Sequence, residues 1–152
     1  MNKKAQFYII AAVILISLTF GLFSAKKAMP KPEKTFDLLV QNYQEDAPFA
    51  ANSGNLRDFT EKFYGFAESK DSSFQLAYFY VSQANISAFS LIKQTIFINQ
   101  YNLTFNSSIV IPRESETVVS MGDSQYSLNT TATGLRAIFL SEKEGSRSVK
   151  II

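Results

Sequence analysis

Along this chain of 152 residues the spacing of hydrophobic and polar positions changes twice, and each change marks a different kind of element. The first stretch has no spacing at all. From Ala5 to Ala25 every residue is uncharged, with Lys3-Lys4 before it and Lys26-Lys27 after it. At about 1.5 Å per helical residue this run reaches across a hydrocarbon core of about 30 Å, which predicts a transmembrane helix over residues 6–25 behind a basic cytoplasmic head at residues 1–5. Met29-Pro30-Lys31-Pro32-Glu33 follows. Two prolines one residue apart remove backbone donors and push their predecessors into extended geometry, so residues 26–34 are expected to be a linker.

The next stretch repeats at three and four. Phe36, Leu39, Val40 and Tyr43 share one face of a helix predicted over residues 35–45, which Thr35 can cap and Pro48 closes. A second helix is predicted over residues 55–69, with Asn55 as its cap and Asp58 near its positive end. Leu56, Phe59, Phe63 and Phe66 form its apolar stripe, while Arg57, Asp58, Glu61 and Lys62 face water. That stripe reads as core rather than as a binding groove.

From Ser72 onward the period drops to two. Phe74 to Val81 is aromatic and β-branched on both faces, as an interior strand covered by a helix would be. Further strands are expected at 87–93, 95–105, 108–111, 117–121, 124–129, 135–141 and 146–152. Turns are expected at Asn106-Ser107, Pro112, Gly122-Asp123, Thr133-Gly134 and Glu144-Gly145. The predicted class is α+β: an N-terminal transmembrane helix, two short helices, then a mainly antiparallel β sheet or small immunoglobulin-like sandwich, with residues 35–152 forming the extracytoplasmic domain.

Charge sharpens this division. Residues 35–152 hold nine Lys/Arg against twelve Asp/Glu, while residues 1–34 hold six lysines and one glutamate. The basic surplus behind a pI near 8.8 is therefore juxtamembrane. The domain lacks the basic stripe that phosphate neutralisation requires, so nucleic acid is not an expected partner. Membrane lipid is, through residues 6–25 and the flanking lysines.

The positive-inside count favours a cytoplasmic domain, with Lys26, Lys27, Lys31 and Lys34 outweighing Lys3 and Lys4. Four Asn-x-Ser/Thr acceptor sites, at Asn85, Asn102, Asn106 and Asn129, argue the other way, since chance placement would give only about one or two. The expectation is a domain outside the cytoplasm. Absence of cysteine excludes a disulfide framework and is compatible with either compartment. A cleaved secretory signal is disfavoured, because cutting after Ala25 puts Phe23 at the third position and cutting after Ala28 puts Lys26 there.

The short basic head, then Ala5, then Gln6 opening a retained apolar helix, resembles the class III signal of archaeal type IV pilin-like surface proteins. The resemblance covers the first 25 residues. It implies a processing site between Ala5 and Gln6, with Gln6 as the new N-terminus, and self-association through the apolar helix. Ile10 takes the fifth position of the trimmed chain, where many pilins carry glutamate. A plain retained anchor needs only the length and the lysine clamps.

Candidate chemistry is sparse. Without His or Cys there is no His-Cys zinc site, papain-type dyad or Ser-His-Asp triad. Ser90-Leu91-Ile92-Lys93 and Ser24-Ala25-Lys26-Lys27 match Ser-x-x-Lys, but neither Ser-Asp-Asn nor Lys-Thr-Gly accompanies them. Glu45-Asp46 and Glu114-x-Glu116 lack the spacing of a calcium loop, and no glycine-rich phosphate loop occurs. No catalytic, cofactor or metal residue is assigned, and no small-molecule substrate is evident. The expectation is a non-enzymatic, membrane-anchored structural or interaction protein, a pilin-like surface subunit. The alternative is a membrane-tethered accessory binding module of an envelope complex. Its partner would be another envelope protein.

Overall fold

The structure is a computed structural model that describes residues 32–152 apart from Glu144. The transmembrane helix predicted over residues 6–25 and the processing site Ala5-Gln6 lie outside the described residues. Among the described residues no helix is long and apolar enough to cross a membrane.

Helix α1 spans Pro32–Asn52. It is longer at both ends than the helix predicted over residues 35–45, and each end has a physical reason. Pro32 opens it, where a missing N–H costs nothing and φ is already helical. Pro48, expected to close it, lies inside it. Its ring removes the bond to the Gln44 carbonyl, but burial of Ala47 and packing of Ala50 and Ala51 against the core carry the helix on. The stop comes at Gly54, whose positive φ of 75° lets Asn55 N–H bond the Ala50 carbonyl at 2.9 Å and Gly54 N–H bond that of Ala51 at 3.2 Å. This is a Schellman closure.

Helix α2 spans Leu56–Lys70, with Asn55 at the N-cap position. The Asn55 side chain makes no capping bond, contrary to expectation. The buried residues are Leu56, Thr60, Phe63, Tyr64 and Ala67. The apolar stripe is thus rotated from the predicted one: Phe59 is partly buried and Phe66 is 50% exposed. At about 100° per residue Phe66 falls about 80° from Leu56 on the helical wheel, off the edge of the covered arc.

Nine strands follow: β1 Phe74–Val81, β2 Asn85–Ser90, β3 Ile96–Ile98, β4 Tyr101–Leu103, β5 Ser107–Pro112, β6 Thr117–Met121, β7 Ser124–Leu128, β8 Gly134–Lys143 and β9 Ser146–Ile151. They form two antiparallel sheets, one ordered β5-β2-β1-β8-β9 and the other β4-β3-β6-β7. Two departures from the predicted strands stand out. Residues 95–105 are a hairpin rather than one strand, because Asn99 takes φ of 50° and reverses the chain. The strand expected at 87–93 begins at Asn85 and ends at Ser90.

Alternation along β1 divides the core into two layers. Phe74, Leu76 and Tyr78 pack with Phe89, Phe139 and the helix residues Phe36, Leu39, Tyr43 and Phe63. Ala77, Phe79 and Val81 pack with Ile96, Ile98, Val119, Met121 and Leu128 of the second sheet. The layers therefore run helices, five-stranded sheet, four-stranded sheet. Every residue of β1 except Tyr80 is buried, as a strand covered on both faces must be. The expected α+β class and sandwich are present, but the chain crosses between the sheets four times in an order of its own.

Candidate functional site

Three polar centres hold the domain together, and their geometry determines what each can do. The first lies where α2 meets β1. Asp71 ends the helix, its N–H bonding the Ala67 carbonyl at 2.8 Å. Its carboxylate, whose side chain is wholly inaccessible, accepts from Ser73 N–H at 3.1 Å, Ser73 Oγ at 2.7 Å and Ser141 Oγ at 3.1 Å, and pairs with Lys143 Nζ at 2.9 Å. Burial raises the Asp71 carboxyl, but the Ser73 and Lys143 hydrogen bonds together outweigh it and hold it below the ordinary carboxylate value. Chemically this is a latch. Both serine hydroxyls and the lysine amine are turned onto one carboxylate, so no hydroxyl is left with a free base beside it.

The second centre gathers loops at the opposite end of the sandwich. Arg113 donates from Nε to the Thr130 carbonyl at 2.8 Å, from Nη1 to that of Ser82 at 3.2 Å, and from Nη2 to that of Thr131. One guanidinium thus ties the β1–β2, β5–β6 and β7–β8 connections. Arg136 adds bonds to the Asn129 carbonyl at 2.9 Å and the Ala132 carbonyl at 3.4 Å. The third centre is Asn99, which accepts from Val118 N–H at 2.8 Å and donates to Glu114 Oε2 at 2.7 Å.

The Ser90-x-x-Lys93 pair does not come together. Ser90 is buried and its Oγ accepts from Ile92 N–H at 3.1 Å, while the Lys93 amine lies 3.5 Å from Glu68 Oε1. Glu45 accepts from Gln41 at 2.9 Å. Among the described residues no three metal-ligating side chains cluster. Ser24 and Lys27 lie outside them.

All four acceptor asparagines are exposed. Asn85 opens β2, Asn102 is the middle residue of β4, Asn106 sits in the turn before β5 with φ of 54°, and Asn129 follows β7. Asn129 alone has its side chain engaged locally, its Oδ1 accepting from Thr131 N–H at 3.1 Å and Thr131 Oγ1 at 2.6 Å.

Asp71, Arg113 and Arg136 are the residues that periodicity misses. Asp71-Ser72-Ser73 between a helix and a strand carries the mark of an Asx turn and could be found on that ground. The arginines leave no comparable local trace. No family model, curated protein or solved structure matches the chain.

Proposed function

We propose that this chain is a membrane-anchored structural or interaction protein whose helix–sandwich domain stands outside the cytoplasm, and that it is a pilin-like surface subunit. The observation that carries the reading is the uncharged run from Ala5 to Ala25, clamped by lysines and opened by Gln6. The domain beyond it is compatible with such a role: the Asp71 carboxylate and the Arg113 guanidinium are engaged in latches within the fold, and four exposed acceptor asparagines suit an extracytoplasmic surface. The test is the intact mass and N-terminal residue of the protein isolated from its native membrane. A chain beginning at Gln6 supports pilin-type processing; one beginning at Met1 reduces the reading to a plain anchored subunit, and one beginning near Lys26 removes the anchor.

One observation favours the accessory-module reading. Leu38 and Phe49 lie about three turns apart on the outward side of α1, and Phe49 is 76% exposed. Such a stripe suits a helix-in-groove partner. Co-purification of a stoichiometric, non-identical envelope protein that is lost on Phe49→Ser would favour it over self-assembly.

A further inference from the structure

Of the five large apolar side chains exposed in the strand region, Ile151 lies on the charged edge strand β9 and the other four gather near acceptor asparagines. Tyr80, Phe97, Phe105 and Val110 are exposed, Phe97 by 50% and Val110 by 65%. Each has an acceptor asparagine beside it. Phe97 and Asn102 are direct cross-strand partners, which places their Cβ atoms about 5 Å apart. Tyr80 and Val110 both oppose Ser87, in one row across β1, β2 and β5. Asn85 lies two residues along β2 on the same face and is the diagonal neighbour of both. Phe105 directly precedes Asn106.

The same region is almost without charge. Between Asp71 and Arg113 the chain carries one charged residue, Lys93. Sheet edges are commonly guarded by charge, and β9 follows that rule with Arg147 and Lys150. The opposite edge of that sheet, β5, reads Ser-Ser-Ile-Val-Ile-Pro. Arg113 N–H bonds the Ala84 carbonyl directly across from it at 2.9 Å, so the odd-numbered residues of β5 face β2. Ser108 and Val110 then turn their N–H and C=O groups to the open side. Pro112 blunts one end of that edge by lacking an N–H. Asn85 opposes Pro112 and Asn106 precedes Ser107, so two acceptor sites bracket the edge.

We propose that Asn85, Asn102 and Asn106 carry N-linked glycans that cover these four apolar side chains and block strand addition at β5. The inference rests on the extracytoplasmic placement proposed above. A glycan supplies the hydrophilic bulk that charge supplies on β9, and its C–H face can lie on an aromatic ring while its hydroxyls stay in water. The co-reactant is a lipid-linked glycosyl phosphate. The asparagine Nδ2 attacks the anomeric carbon, the C–N bond forms as the C–O bond to phosphate breaks, and the amide proton leaves with the phosphate. Asn129 is excluded from the set: its Oδ1 is held by Thr131, its carbonyl by Arg136, and no exposed large apolar side chain lies beside it.

The test is glycopeptide mass spectrometry on the full chain from its native membrane, alongside protease treatment of right-side-out vesicles. Sugar at Asn85, Asn102 and Asn106, with Asn129 bare, is the expected result. Bare asparagine at two or more of the three, in a domain that protease removes, overturns the proposal and leaves the extracytoplasmic placement standing. A domain protected from protease removes the placement and the proposal together. The covering role has its own readout. Enzymatic removal of sugar from the folded protein, or Ser87→Ala with Thr104→Ala and Ser108→Ala, is expected to raise the oligomeric fraction at least tenfold, and Val110→Lys to reverse the rise. An unchanged fraction overturns the role. So does a wild-type, sugar-free oligomer that Val110→Lys disperses, which would assign β5 to a second copy of the chain.

Discussion

The phenol of Tyr43 donates a hydrogen bond to the hydroxyl of Thr60, 2.9 Å away, because Thr60 directs its own proton to the Leu56 carbonyl at 2.7 Å. Both side chains are buried, and the bond joins α1 to α2 beneath an aromatic cluster in which Tyr43 meets Phe59, Phe63 and Phe139. Its direction makes the two ends unequal. Thr60→Val leaves a buried phenol without an acceptor and is expected to cost about 1 to 3 kcal/mol, whereas Tyr43→Phe leaves Thr60 bonded to Leu56 and costs about 1 kcal/mol. Urea unfolding of both variants and the double variant checks this, with the double costing less than the sum.

The same phenol sets an alkaline limit. Burial pushes Tyr43 well above the ordinary tyrosine value. Burial and Glu68 push Tyr64 up to about 12. A tyrosine raised in the folded state stabilises it fully below the unfolded value near pH 10, and that contribution is lost as pH rises above it. Stability is expected to hold up to about pH 10 and then fall, more shallowly in Tyr43→Phe than in the parent. Denaturant midpoints across pH 8 to 12 measure it.

Asp71 sets the acid limit with the opposite sign. Its carboxyl is depressed in the folded state, so its contribution is complete above the unfolded value near pH 4 and is lost as pH falls through the folded one. Asp71→Asn is expected to cost about 2 kcal/mol at pH 7, less than the about 3 to 5 kcal/mol of a fully buried pair because Lys143 is partly exposed and can turn to water. The variant should also lose part of the parent's decline in stability below pH 4. Thermal melts at pH 3 and pH 7 distinguish the two.

Within α2 the rotated face ranks three phenylalanines. Phe63→Ala is expected to cost about 3 to 5 kcal/mol, Phe59→Ala less, and Phe66→Ala under about 1 kcal/mol. Phe59, partly buried, thus falls below the full core value that a stripe centred on it would carry. A larger loss for Phe66 than for Phe63 would place the helix face elsewhere. Guanidinium unfolding supplies the numbers.

Gly54→Ala isolates backbone conformation. A Cβ there meets nothing within 4 Å, so only the positive φ opposes it. The expected loss is about 1 kcal/mol. A much larger loss in a thermal melt would mean that the Schellman closure also orients the two helices.

What the residues disclosed in advance follows their locality. Phe74 to Val81 is apolar at both parities, which only a strand buried on both faces allows, and it is such a strand. Asn99 misled because strand-forming residues run on both sides of it with no glycine to mark the reversal; the only trace is the shift of the apolar positions from even (Ile96, Ile98) to odd (Tyr101, Leu103). Pro48 misled because the alanines that outweigh it are weak signals singly and act only once packed. The polar centres were the least legible. Asp71 and Ser141 are seventy residues apart, as are few pairs that any window can relate, and Arg113 bonds carbonyls that no side-chain pattern announces. The exposed positions of the four acceptor asparagines follow from strand parity and turns, but the nearness of Asn102 to Phe97 and of Asn85 to Tyr80 and Val110 appears only in the register.

The place of β1 between β2 and β8 carries a consequence for biosynthesis. Phe74 pairs with Ser141 and Val81 with Gly134, so the central strand waits for a partner made only after β2 to β7. Until that stretch emerges, the nascent domain has one flank of its principal strand open and an aromatic surface without its lid. Closure must therefore wait until β8 has been made, at the slow rate that distant pairings impose. A polypeptide that has yet to close is also one that can still be threaded through a narrow translocation channel.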